Sequence, residues 1–138
     1  MLSVETRNIA GEVTAVGRAG PFTLVVDRPV EAGGGGLGFN GGQLLYLAVA
    51  GCVSNDLFRE AQARGLELES VRVSVDGDFA GDPAVSGPIA YSVEIGGGGS
   101  PDELERLVRD VDRIAEIPNS LRQGTPVRLG GVSVVRSA

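Results

Sequence analysis

Residues 39–79 read "FNGGQLLYLAVAGCVSNDLFREAQARGLELESVRVSVDGDF". Asn40, just before an apolar run, is a helix N-cap, and Gln43 three residues on completes a capping box. Leu44, Leu45, Leu47, Ala48, Val49, Val53, Leu57, Phe58 and Ala61 follow at helical spacing. The early turns are apolar on every face, which predicts a helix buried all round. After Ser54 the pattern turns amphipathic, and Asp56, Arg59, Glu60, Gln62 and Arg64 are expected in solvent. Gly65 reads as the glycine just past the helix end. Val71, Val73 and Val75 then alternate with Arg72, Ser74 and Asp76, the pattern of a half-buried strand. A long buried helix followed at once by such a strand decides the fold class.

Upstream, "EVTAVGR" (residues 12–18) and "FTLVVD" (22–27) are strand-like and joined by the turn signal "AGP". A weaker strand is expected at residues 2–7. The stretch "EAGGGGLGFNGG" (31–42) is a turning loop. A phosphate-binding loop would require Gly-Lys-Ser/Thr, and the chain has no lysine. The dinucleotide fingerprint would require a parallel βαβ context, which is missing.

Downstream, "GPIAYSVEIGG" (87–97) alternates Ile89, Tyr91, Val93 and Ile95. It predicts an antiparallel partner for the preceding strand, with residues 80–86 as loop. Ser100, Pro101 and Glu103 form a second N-terminal signature. Leu104, Leu107, Val108, Val111, Ile114 and Ala115 make one apolar stripe, and the arginines and carboxylates opposite read as a solvated face. Pro118 is expected to interrupt this helix, residues 119–124 to form a short second one, and residues 125–137 a last strand. The sum is a single α+β domain over residues 1–138, mainly antiparallel, with a long buried helix and a second amphipathic one. A domain of this size does not easily cover a helix apolar all round, so a homodimer is expected.

Composition removes much chemistry. The net charge of −6 argues against nucleic-acid binding. All 12 basic residues are arginine, and there is no histidine. Ser-His-Asp and Cys-His pairs, histidine zinc sites and lysine Schiff bases are therefore impossible within the chain. One cysteine makes neither a thiolate cage nor an intrachain disulfide, so no metal or cofactor is expected. The longest apolar run, residues 44–53, falls short of the roughly 18 that suggest a membrane span. The first residues lack the pattern of a signal peptide, and a cytoplasmic location is expected. Cys52, carboxylates, hydroxyls and arginines remain as reactive groups.

With its helix, its cysteine and its Val-x-Val strand ending in "DGDF", the opening stretch resembles the core of the OsmC/Ohr family, the osmotically inducible and organic-hydroperoxide-resistance proteins. The order of elements over the whole chain agrees. The resemblance implies an interlocked homodimer and thiol-dependent reduction of organic hydroperoxides. In that family a first cysteine attacks the peroxide, a second resolves it, an arginine and a glutamate hold the thiolate, and an external dithiol recycles the protein. The attacking cysteine matches Cys52. The second falls at Ile117 in "IPNS", where Pro118 and Ser120 match and the thiol is gone. The glutamate falls at Gly42 in "NGGQL", where Asn40 and Leu44 match and the carboxylate is gone. The arginine matches Arg18 in "VGRAG".

On residues alone, a lone cysteine in an apolar helix behaves as a small hydrophobe. Reactivity requires a nearby cation, because Cys52 lies about three turns past Asn40, beyond the reach of the helix N-terminus. Arg18 is the donor the resemblance suggests; Arg59 lies two turns along the same face. If Cys52 reacts, its sulfenic acid must condense with an external thiol. Tyr46 and Phe39 read as core or pocket wall, Asn55 and Asp56 as a solvated turn of the helix or else the lining of a dimer pocket, and Ser120 as an N-cap or turn residue. Two functions follow: a one-cysteine peroxidase using Cys52 and Arg18, or a dimer holding a small apolar ligand in its interface pocket.

Overall fold

A computed structural model describes residues 1–136. The N-terminal third is an antiparallel meander of β1 (Glu5–Asn8), β2 (Ala15–Ala19) and β3 (Phe22–Val26). The turn between β2 and β3 places Gly20 at φ 58°, a conformation glycine adopts without strain. β1 starts later and runs further than residues 2–7.

The glycine-rich loop is tied down by one carboxylate. Asp27 Oδ1 accepts from the backbone N–H groups of Arg28 (2.7 Å) and Gly35 (3.1 Å). Oδ2 accepts from the Thr14 hydroxyl (2.8 Å) and the Leu37 N–H (3.2 Å). The N–H groups of Arg28 and Gly35, then the Thr14 hydroxyl and Leu37 N–H, hold the Asp27 carboxyl down to about 2, against the opposing effect of burial. The loop thereby delivers the chain to Asn40 in a set direction.

Helix α1 (Gly41–Ala63) begins and ends where its sequence signals lie. The Asn40 side chain accepts from Gln43 N–H at 2.9 Å, and the Gln43 side chain accepts from Asn40 N–H at 3.0 Å. Gly65 sits at φ 68° just beyond. Strands β4 (Leu68–Asp76) and β7 (Ala90–Gly97) pair antiparallel, with Val73 opposite Val93 and Val75 opposite Tyr91. The segment between them is not all loop: β5 (Phe79–Ala80) and β6 (Val85–Ser86) form a two-rung ladder.

Helix α2 (Pro101–Ile114) has the expected Ser100 capping box. It stops at Ala115, whose extended backbone breaks the helix three residues before Pro118. Pro118 instead sits buried in the first turn of α3 (Glu116–Arg122), where its missing N–H goes unneeded. Val53, Leu57, Ala61, Leu107, Val111 and Ala115 make the core, with Val71, Val73, Val93 and Ile95 packed against it. This is an α+β fold of two antiparallel layers with α1 against the second.

One chain leaves part of α1 open, as expected of a domain this size: Leu47 and Phe58 are each 48% exposed. The face carrying Val49, Val53, Leu57 and Ala61 is covered by β4, α2 and α3, and the opposite face has no cover. Two expectations are corrected. Ile114 leaves the apolar stripe and is 44% exposed, since α2 ends there. Residues 125–136 form no strand, because no described strand offers them a ladder; Ser137 lies outside the described residues.

Candidate functional site

Cys52 is free and half-buried near the middle of α1, packed against the core shared by α1 and α2. It lies at the boundary between the covered and uncovered faces. Asp56, one turn further, is buried and not solvated, contrary to the amphipathic reading. Its Oδ1 pairs with Arg59 Nη1 at 3.2 Å. Asn55 is exposed, as expected.

Arg18 stands elsewhere in the single chain. It is exposed on β2, opposite Glu5 of β1 and Thr23 of β3. Among the described residues no hydrogen bond joins it to Cys52. Gly42 lies in the first turn of α1. A side chain there would start 2.8 Å from the Phe79 ring, which stacks on Tyr46 with centroids 5.7 Å apart. Phe79 thus fills the space that a glutamate at position 42 would need. Tyr46 is half-buried, with its hydroxyl 2.9 Å from Ser86 Oγ, whereas Phe39 is exposed. Ser120 hydrogen-bonds back to the Glu116 carbonyl inside α3 and caps nothing.

A cleft of about 340 Å³ runs between α1 and α3, and Cys52 is not among its lining residues. Leu45, Val49, Ile89, Pro118 and Leu121 give it apolar walls, and Tyr91 and Arg122 a polar end. Val49 is one turn before Cys52, and Pro118 follows Ile117, so both positions matched to family thiols adjoin lining residues. The polar end is a compact network. The Tyr91 hydroxyl donates to Asp112 Oδ1 at 2.5 Å, and Arg122 Nη2 donates to the same oxygen at 2.6 Å. Arg122 Nη1 also donates to the Asp112 carbonyl and to Asn119 Oδ1, both at 2.9 Å. The Tyr91 hydrogen bond, with help from Arg122, lowers the Asp112 carboxyl against its desolvation. Desolvation and Asp112 together push the Tyr91 phenol far up. The network is therefore an ion pair with a neutral phenol at ordinary pH, and it ties α3 to β7 and α2.

Sequence reasoning missed this network. Asp112 lay in what read as a solvated face, and Tyr91 in what read as a core alternation. Their meeting depends on how α2 crosses β7, which no local pattern encodes. Among the described residues no group of three metal-ligating side chains forms, and no helix is long and apolar enough to cross a membrane.

The model of the OsmC-like protein family matches residues 33–130, well over half of the chain. The chain belongs to the OsmC-like family. No curated protein matches it by sequence. An OsmC-like protein from Mycoplasma pneumoniae superposes with a TM-score of 0.75 at 19% identity, covering 91% of this chain and 89% of that one. An organic hydroperoxide resistance protein from Legionella pneumophila gives 0.67 at 21% identity, covering 88% and 89%. The organic hydroperoxide resistance protein OhrB of Bacillus subtilis gives 0.60 at 16% identity, covering 88% and 90%. At such identities the shared property is the OsmC fold.

Proposed function

We propose that this OsmC-like protein is a one-cysteine thiol peroxidase that reduces organic hydroperoxides. The observation that carries the reading is Cys52 itself: a free, half-buried thiol at the position matched to the family's attacking cysteine, one turn along α1 from Val49, which lines an apolar cleft large enough for a small organic molecule. The Cys52 thiolate attacks the distal peroxide oxygen, an S–O bond forms, and the O–O bond breaks. The leaving alkoxide takes a proton and departs as alcohol. Sulfur is oxidised to sulfenic acid and the peroxide is reduced by the same two electrons. With Ile117 in place of a resolving thiol, a small external thiol condenses with the sulfenic acid and releases water. A second external thiol then frees Cys52 as a disulfide leaves. A cytoplasmic location, where such thiols stay reduced, suits this route.

Arg18 is proposed as the cation that favours the thiolate. A homodimer belongs to the same proposal. The uncovered apolar face of α1, with Leu47 and Phe58, and the unpaired segment 125–136 both call for a second copy.

The test is consumption of cumene hydroperoxide with dithiothreitol by wild type and Cys52→Ser. Turnover that the substitution abolishes is the expected result. Equal rates would overturn the peroxidase reading. They would favour the second reading, a ligand-holding dimer, for which the apolar walls of the α1–α3 cleft speak.

A further inference from the structure

Two cavities meet at Tyr91. One is the α1–α3 cleft of about 340 Å³, where Tyr91 and Arg122 make the polar end. The other is a groove of about 380 Å³ between β7 and α2, lined by Tyr91 again and by Val93, Val108 and Asp112 among others. Tyr91 is the single residue that the two linings share.

Its side chain is fixed at that boundary. Tyr91 stands opposite Val75 in the β4–β7 ladder and packs against the core. Its hydroxyl donates to Asp112 Oδ1 at 2.5 Å, and Arg122 Nη2 donates to the same oxygen at 2.6 Å. Asp112 belongs to the groove and Arg122 to the cleft, so their ion pair crosses from one cavity to the other at the tyrosine hydroxyl.

We propose that Tyr91 is the end wall of the ligand cleft and limits the length of alkyl chain it accepts, so that short-chain hydroperoxides are favoured. The inference rests on this cleft holding the apolar part of the ligand, as both readings of the function require. A chain laid along Leu45, Val49 and Ile89 gains affinity with each methylene that leaves water. At Tyr91 the gain stops. Moving the packed ring breaks its hydrogen bond to Asp112. Pressing hydrocarbon against the Asp112–Arg122 pair strips water from charges and supplies no hydrogen bond in return. Beyond the wall, Val93 and Val108 offer apolar surface that the chain does not reach.

The experiment measures dissociation constants of straight-chain 1-alkanols, from butanol to dodecanol, by NMR titration of the full chain. Wild type, Tyr91→Phe and Tyr91→Ala are compared. Alkanols are products of the proposed reduction and report on the cleft without the redox step. In wild type, affinity is expected to rise about fourfold per methylene and then level off. Tyr91→Phe keeps the ring and is expected to level off at the same length. Tyr91→Ala joins cleft and groove: butanol is expected to bind as in wild type, and dodecanol about fifteenfold tighter, the worth of two further buried methylenes. General loosening would instead change all lengths alike. A uniform change, a break at the wild-type length in Tyr91→Ala, a wild-type series with no break, or no binding to wild type would each overturn the inference. If circular dichroism shows Tyr91→Ala unfolded, Tyr91→Leu takes its place, because leucine drops the ring and keeps apolar packing; an unmoved break then overturns it. Hydroperoxide turnover is scored separately with Cys52→Ser. A moved break without turnover would sustain the role of Tyr91 and overturn the peroxidase. Turnover lost in Cys52→Ser with an unmoved break would do the reverse.

Discussion

The two layers of this OsmC-like chain are built differently. The β4–β7 layer has α1 and α2 across one face, and between them lie residues that solvent does not reach, Leu57, Leu107, Val53 and Val111. The β1–β3 layer has no such cover. Phe22 is 75% exposed, and Val13, Leu24 and Val25 are open as well. What fixes the first layer to the rest is polar: the four hydrogen bonds onto Asp27 and the backbone bridge between Asp27 and Phe39. Within one chain, then, one layer rests on burial and the other on hydrogen bonds. The second arrangement leaves apolar surface that only another molecule can remove from water.

The largest effect falls on the buried layer. Leu57→Ala deletes a fully buried side chain between α1 and α2 and is expected to cost about 2–5 kcal/mol in urea unfolding. A loss under 1 kcal/mol would break the contrast by showing that this core collapses freely.

An intermediate effect belongs to the hydrogen-bonded layer. The Asp27 carboxyl is lower in the folded chain, at about 2, than in the unfolded chain, about 3.9. Its contribution is therefore complete above the unfolded value and lost as pH falls through the folded one. Melting temperatures of wild type and Asp27→Asn should differ most above pH 4 and converge toward pH 2. A gap that stays constant across that range would mean that the charge of Asp27 is not what holds the loop.

The smallest effect sharpens the comparison. In an isolated chain Phe22→Ser changes stability by no more than about 0.5 kcal/mol, as exposed positions do. If a second copy covers β3, the cost becomes larger and depends on protein concentration. Melting curves at two concentrations a hundredfold apart separate the two cases.

Much of the scaffold was legible beforehand, and particular residues say why. Asn40 and Gln43 find each other across three positions, as do Ser100 and Glu103, so both helix starts follow from adjacent residues. Val71, Val73 and Val75 take one face of a strand because alternation is a property of the backbone itself. Proline was the weaker guide. Pro118 reads as a breaker, yet the break falls at Ala115, because a helix tolerates proline in its first turn.

The site was legible only in part. Cys52 stood out by composition, as the one thiol in a chain without histidine or lysine. The burial of Asp56 did not, since an aspartate after an apolar run reads as the start of a wet face. Nor did the Tyr91–Asp112–Arg122 network, whose members come from a strand and two helices.

The sequence by itself determined where α1 and the long strands lie, where α2 begins, what ends α1, and which chemistries are out of reach. Those properties depend on hydrogen bonds and periodicities spanning a few residues. Tertiary structure alone decided that Asp56 lies inside, that Phe79 takes the space beside Gly42, and that residues 125–136 remain without a ladder. Each of these depends on what stands across a gap between distant segments, and local pattern carries no record of that.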